Sequence, residues 1–345
     1  MKKAVLFEKL SGSKVKCTAC QNYCVIPEGK TGICAVRKNI GGDLYLLVYG
    51  QAAAANIDPI EKKPLYHFFP GEKVFTIGTV GCNFGCEFCQ NYDISQSIKE
   101  ARLMKKDIQS EFLSYGNELS PQQIINFCEE NRIRMVAFSY NEPAIFFEYA
   151  FDTMKLAKKK GIKTVFVSNG YESVEALEKM KGYLDAINID LKSFSDDFYR
   201  RICHSRLKPV LDTIKRCYDL GIWVELTTLF IPGENDSEEE VKQIIDFIAS
   251  IDQNIPWHIS AFYPTYKMRN KKATPHEKLI IAYKLGKKRL NHVYVGNVYD
   301  PERSATYCPK CKRVLIERQF YTTNVVGIKN SRCVYCNEKI AGVFK

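Results

Sequence analysis

"KVFTIGTVGCNFGCEFCQNYDIS", residues 73–95, joins a β-branched and aromatic run to three cysteines, Cys82, Cys86 and Cys89. A structural zinc or an ordinary iron–sulfur cluster takes four ligands, so a trio leaves a position open for chemistry. The cysteines also follow directly on a strand-like run. In α/β folds built from parallel strands, functional residues collect at that end of a strand.

The same kind of run recurs along the chain: "MVAFSY" from 135, "KTVFVSN" from 163, "AINIDLK" from 186, "WVELTTLFIP" from 223, "WHISAFYP" from 257 and "VYVGNVY" from 293. Helical stretches lie between them. "LSPQQIINFCEEN" offers Ser120 as N-cap, Pro121 at the first helical position and Gln123 to complete a capping box. "GENDSEEEVKQIIDFIAS" offers Asp236 or Ser237 as cap, with three glutamates in the first turn. Strand–helix alternation of this kind implies parallel strands with right-handed crossovers. Six or seven repeats fall short of eight, so the expected fold is α/β, a partial (β/α)6 TIM-like barrel. Polar residues recur where strands end: "NEP" after "MVAFSY", "SNG" after "TVFV" and "DLK" after "AINI". The expected domains are a Cys-rich N-terminal module (1–73) with a hairpin in "GGDLYLLVYG", the barrel (74–302) and a zinc-ribbon-like module (303–345).

The chain has 345 residues, of which 46% are hydrophobic, enough to build a large core and to exclude wholesale disorder. No apolar run approaches the ~18 residues of a membrane span, and the start lacks the apolar stretch of a secretory signal. A cytoplasmic, membrane-free protein is expected, where fourteen cysteines serve as metal ligands or buried thiols rather than disulfides. Cys128, Cys203 and Cys217 stand alone in helical stretches and read as buried thiols. Cys308, Cys311, Cys333 and Cys336, as two Cys-x-x-Cys pairs, read as a structural zinc site, with iron as the other option. Cys17, Cys20, Cys24 and Cys34 suit zinc or a second iron–sulfur cluster, and spacing leaves both open. His67 and His258 read as a loop and a satisfied strand histidine ahead of any site role.

The formal charge of +11 hints at nucleic acid, but it counts every cysteine as neutral. Three thiolates around a four-iron core leave about −1 and each metal-loaded quartet about −2, lowering the total to roughly +6. The basic argument then weakens.

Cys-x-x-x-Cys-x-x-Cys with Phe88 before the third cysteine resembles the radical S-adenosylmethionine superfamily. The resemblance implies a [4Fe–4S] cluster on Cys82, Cys86 and Cys89 whose free iron chelates S-adenosylmethionine. "SYNEP", 139–143, resembles the family's Gly-Gly-Glu-Pro element, with Tyr140 and Asn141 in place of the glycines, and implies that Asn141 and Glu142 bind the methionyl amino group. "INIDLKS" and "LFIPGENDS" are similar to segments of pyruvate formate-lyase activating enzyme, placing Asp190 and Lys192 near the methionyl carboxylate and the reaction chamber. "VSNGY" resembles that enzyme's Asp-Thr-Asn-Gly segment, adding Ser168 and Asn169, although Val167 replaces the aspartate. Together with "DPIEKKPLYHFFPG", the motifs closely resemble the AmmeMemoRadiSam-system radical SAM proteins over almost the whole chain. That likeness implies AMMECR1-like and Memo-like companions and a flavodoxin- or ferredoxin-like electron donor. The implied reaction is cleavage of S-adenosylmethionine to a 5′-deoxyadenosyl radical that abstracts hydrogen. A glycyl-radical activating enzyme and an RNA-modifying enzyme are the alternatives; a zinc-ribbon nucleic-acid-binding protein with a relic barrel is the reading from a different class.

Overall fold

The apolar runs form strands because both of their faces are covered. All four residues of the strand Met135–Phe138 are buried, which is why its sequence is continuously hydrophobic rather than alternating. The computed structural model describes residues 1–104 and 116–344. They divide into two compact units, Met1–Asp58 with Lys73–Ala186, and Pro59–Glu72 with Ile187–Lys345. The architecture is mixed α/β with a mostly parallel sheet, as expected.

In the first unit Met135–Phe138 runs parallel to Lys73–Gly78 on one side and to Lys163–Ser168 on the other. Ala54–Pro59 lies next to Lys73–Gly78. The helix Pro121–Glu130 starts on the expected capping box: Ser120 accepts from Gln123 N, and the Gln123 side chain accepts from Ser120 N. The helix Phe147–Lys159 carries Glu148, whose buried carboxylate takes a two-pronged contact from Arg37 at 2.7 and 2.9 Å. Arg37 belongs to the hairpin Arg37–Ile40 with Asp43–Leu46; the stretch 41–50 expected to hold a hairpin supplies only its turn and second strand. The pair thus anchors the N-terminal hairpin to a helix more than a hundred residues away.

In the second unit Trp257–Ala261 runs parallel to both Trp223–Phe230 and Val293–Gly296. Ser237 caps the helix Glu238–Ile251 by accepting from Glu240 N, while Asp236 instead accepts from Gly233 N. Cys128 and Cys217 are buried in helices, and Cys203 ends a short π-helix, Tyr199–Cys203.

A buried polar lattice holds the second unit's strand starts. Glu225 accepts from Tyr66 N, His67 N, the Trp223 indole and His258 Nε2, at 2.7–3.0 Å. Burial alone would raise its pKa, but the His258 hydrogen bond and nearby charge hold the carboxyl below its usual range. A second chain of bonds has one consistent direction. Arg318 donates to Thr306, Thr306 to the Tyr294 hydroxyl, and Tyr294 to His67 Nε2, leaving His67 Nδ1–H for the Ala341 carbonyl. His67 is a loop histidine, as expected, but a fully buried neutral imidazole, and burial brings its pKa down to about 4. His258 is satisfied on its strand, as expected.

The depressed His67 pKa makes stability depend on pH. Above pH 6.5 the imidazole is neutral in folded and unfolded chains alike. As pH falls from 6.5 towards 4, the unfolded chain binds a proton that the folded chain refuses, costing up to about 3 kcal/mol. Urea midpoints should fall between pH 7 and pH 4.5 more steeply for the wild type than for His67→Gln; parallel slopes would assign the effect to other groups.

Candidate active site

The three cysteines sit on the loop that leaves the strand Lys73–Gly78. Cys86 is buried, and Cys82 and Cys89 are half-buried. Cys82 Sγ accepts from Phe84 N at 3.4 Å, and Cys89 Sγ lies 3.2 Å from Ser95 Oγ. Burial pushes the Cys82 thiol up, and the Lys99 charge pulls it back towards thiolate. Lys99 is fixed by the Phe84 carbonyl and by Gln96 Oε1. Phe88 is buried.

The next strand end pins this loop. Asn141 Oδ1 accepts from Thr79 N, and its amide donates to Thr79 Oγ1 and to the Gly81 carbonyl at 3.0 and 2.9 Å. Tyr140 adopts φ +70, a conformation glycine takes without strain, and its hydroxyl is tied to Asp58 and Asn56. Gly78 is needed because a Cβ there would lie 2.7 Å from the Ser139 carbonyl.

Glu142 is fully buried and faces inward. Oε1 accepts from Ala144 N and Ser168 Oγ, both at 3.0 Å, and Oε2 accepts from Asn169 N at 2.8 Å. Burial pushes its pKa up to about 8, and the charge of buried Glu172 adds to the rise. Asn169 donates onward to Asn83 Oδ1 at 2.8 Å, linking this strand end to the residue after Cys82. Asn169 Oδ1 and Asn83 Nδ2 are buried without a hydrogen-bond partner among the described residues. Reading the sequence missed Asn83 and Glu172; the only signal for Asn83 was its place inside the cysteine loop.

Asp190 and Lys192 lie in the second unit, at and just beyond the end of the strand Ala186–Asp190. They pair with each other at 2.8 Å. The Lys192 backbone is held by the Tyr199 hydroxyl and the Asn235 amide.

The two quartets differ in geometry. Around one ion with metal–sulfur bonds of about 2.3 Å, tetrahedral sulfurs stand about 3.8 Å apart. Cys308–Cys336 and Cys311–Cys333 sulfurs lie at 3.6 and 3.7 Å, and all four fall within 4.8 Å of one another. They flank the hairpin Val314–Gln319 with Thr322–Val325, in a small core with Leu315, Ile316 and Ile340. The Arg313 N–H brings the Cys311 thiol down to about 7, towards the thiolate a metal needs. Among the described residues, no three of Cys17, Cys20, Cys24 and Cys34 converge so tightly, nor do Cys82, Cys86 and Cys89.

The model of the Radical SAM superfamily matches residues 76–248. The chain belongs to the radical SAM superfamily. An uncharacterized protein of Methanocaldococcus jannaschii is 38% identical over 99% of both chains. The pyruvate formate-lyase-activating enzyme of Clostridium pasteurianum is 23% identical over 57% of this chain and 83% of its own length. A domain of such an enzyme from Bacteroides vulgatus aligns with a TM-score of 0.41 at 20% identity, covering 47% of this chain and 98% of its own. Radical SAM membership and its activating-enzyme relatives make this chain an enzyme. No helix among the described residues is long and apolar enough to cross a membrane.

[4Fe–4S] binding and cleavage of S-adenosylmethionine are typical of radical SAM enzymes, and the residues present fit both groups. Three thiols on one loop, too widely set for a single ion, suit a cluster with one iron left open. A buried carboxylate has about four acceptor positions, and Glu142 has filled three with protein donors. With Asn169 Oδ1 beside it, acceptors remain for an amino group.

Cys308, Cys311, Cys333 and Cys336 could hold one metal ion, which would staple the small core around them. Cys333→Ala should lose about one equivalent of bound metal and lower the melting temperature by several degrees. Metal analysis with calorimetry reads both, and an unchanged metal content would remove the site.

Proposed function

We propose that this enzyme binds a [4Fe–4S] cluster through Cys82, Cys86 and Cys89 and cleaves S-adenosylmethionine reductively, for hydrogen abstraction from a substrate. When bound, the cluster supplies one electron and an open iron for the cofactor. The observation that carries the reading is a cysteine trio at a parallel strand's C-terminal end, backed by the buried lattice of Asn83, Asn141, Glu142 and Asn169. Phe88 is buried within the loop, and Asn141 fixes the loop's path. Glu142 and Asn169, oriented by Ser168, accept from the methionyl ammonium, whose positive charge offsets the crowding of Glu142 by Glu172. By resemblance, Lys192, steadied by Asp190, is assigned to the methionyl carboxylate. The C-terminal quartet is assigned zinc, and a flavodoxin- or ferredoxin-like protein the supply of electrons. AMMECR1-like and Memo-like proteins are the companions that the resemblance suggests, in the cytoplasm.

A glycyl radical on a partner protein is the second reading, favoured by relatives named as activating enzymes for pyruvate formate-lyase and isethionate sulfite-lyase. The two readings share the cofactor step and differ in the hydrogen's source.

Anaerobic reconstitution, reduction and assay for 5′-deoxyadenosine test the reading directly. Cys86→Ala should abolish the cofactor-responsive S = 1/2 signal and 5′-deoxyadenosine formation together; survival of both would refute the assignment.

Glu142→Gln keeps the shape and removes the charge. A charge-assisted hydrogen bond contributes roughly 1.5–3 kcal/mol, so cofactor affinity should fall about tenfold to a hundredfold with iron content unchanged. Equilibrium binding and iron analysis on one preparation check this. Unaltered affinity would free Glu142 from the role.

A further inference from the structure

Cys17, Cys20, Cys24 and Cys34 line one cavity in the first unit, together with Asn22, Arg37 and Asn83. Three of the four thiols are buried and all four line the same cavity, so the set is one cluster of donors. The segment is tied down at both ends. Cys20 bridges to Glu172, Gln21 N donates to the Tyr171 carbonyl, and Cys17 N donates to the Cys24 carbonyl.

Two features of the cavity point to its occupant. Arg37 Nε and Asn83 Nδ2 are buried N–H donors with no hydrogen-bond partner among the described residues, and both residues line it. Orphan donors and a guanidinium around four thiols call for an anionic, sulfur-rich acceptor. The second feature is spacing. The C-terminal quartet draws its sulfurs to the edge length of a single-ion tetrahedron, whereas no three sulfurs here come within 4.8 Å of one another among the described residues. A cubane carries a separate iron for each thiolate, so its ligands stand further apart than those of one ion.

We propose that Cys17, Cys20, Cys24 and Cys34 hold a second four-iron cluster, fully ligated by thiolate and hydrogen-bonded by Arg37 and Asn83. It adjoins the catalytic loop. Asn83, which lines the cavity, is the residue after Cys82, and its carbonyl accepts from the Asn22 side chain at 3.3 Å. A Cβ on Gly81 would lie 2.6 Å from the Cys34 carbonyl, so the two cysteine loops touch through backbone. The inference is independent of the substrate and of the cofactor-cleavage reading.

The test uses the full chain carrying Cys82→Ala, Cys86→Ala and Cys89→Ala together, reconstituted anaerobically with iron and sulfide. About four irons and four acid-labile sulfides per chain should remain, with a reduced EPR signal that S-adenosylmethionine leaves unchanged, because no iron is open. The wild type should hold about eight of each. Labile sulfide separates this from iron taken up by the C-terminal site, which binds none. Zinc at two equivalents with no labile sulfide in the triple variant would overturn the proposal, as would a signal that shifts with the cofactor. In a chain with the trio intact, Cys20→Ala with Cys34→Ala should halve labile sulfide and keep the cofactor-responsive signal. Full retention of sulfide there would also overturn it.

Discussion

A carboxylate out of reach of water governs the candidate site. Glu142 is fully buried, and its oxygens accept from the start of the following helix, from Ser168 and from Asn169. Once the carboxyl is ionised each contact to its oxygens is worth roughly 1.5–3 kcal/mol, and leaving such a group unsatisfied costs as much or more. The strand ends at Phe138 and Ser168 are therefore locked to one another. Asn141 and Asn169 extend the lock to Thr79, Gly81 and Asn83, on either side of Cys82. The cysteine loop has its shape because the neighbouring strand end dictates it.

A second buried glutamate shows what is particular about the first. Glu225 is equally buried, yet its pKa moves down while that of Glu142 moves up to about 8. Burial acts on both in the same direction, so the neighbours decide the sign. Glu225 has four donors, His258 among them, and its acceptor positions are full. Glu142 has three donors and another buried carboxylate, Glu172, pressing on it. The first arrangement is complete as it stands and serves structure, joining Tyr66 and His67 to the strand starts. The second is improved by a cation, and so is suited to an ammonium ligand.

Elements whose signal is local were legible in the sequence. Strand runs, the Ser120 and Ser237 caps, the turn and second strand of the hairpin about Gly41–Gly42 and both Cys-x-x-Cys pairs of the C-terminal site lie within short windows. What was hidden depends on residues far apart in the chain. Arg37 meets Glu148 across 111 positions, and His67 meets Tyr294 across 227. The strand Ala54–Pro59 escaped for another reason: three of its six residues are exposed, so no hydrophobic period marks it. At the site, resemblance identified Asn141 and Glu142, but only the geometry shows Asn141 gripping the loop rather than merely lining it.

The chain's positive charge takes on a different meaning once these sites are in view. Part of the basic excess sits beside sulfur: the Lys99 charge acts on Cys82, and Arg37 interacts electrostatically with Cys17 and Cys34 while its fork engages Glu148. Thiolates of a loaded centre carry net negative charge into a medium that penalises it, and a fixed cation nearby offsets that cost. Arg37 is buried and Lys99 half-buried, and both are committed to protein partners, unlike the exposed lysines and arginines that track a phosphate backbone. Lys99 and Arg37 are thus placed against cysteine sulfur rather than on a face open to a phosphate backbone, so the charge total by itself is weak ground for an RNA or DNA partner.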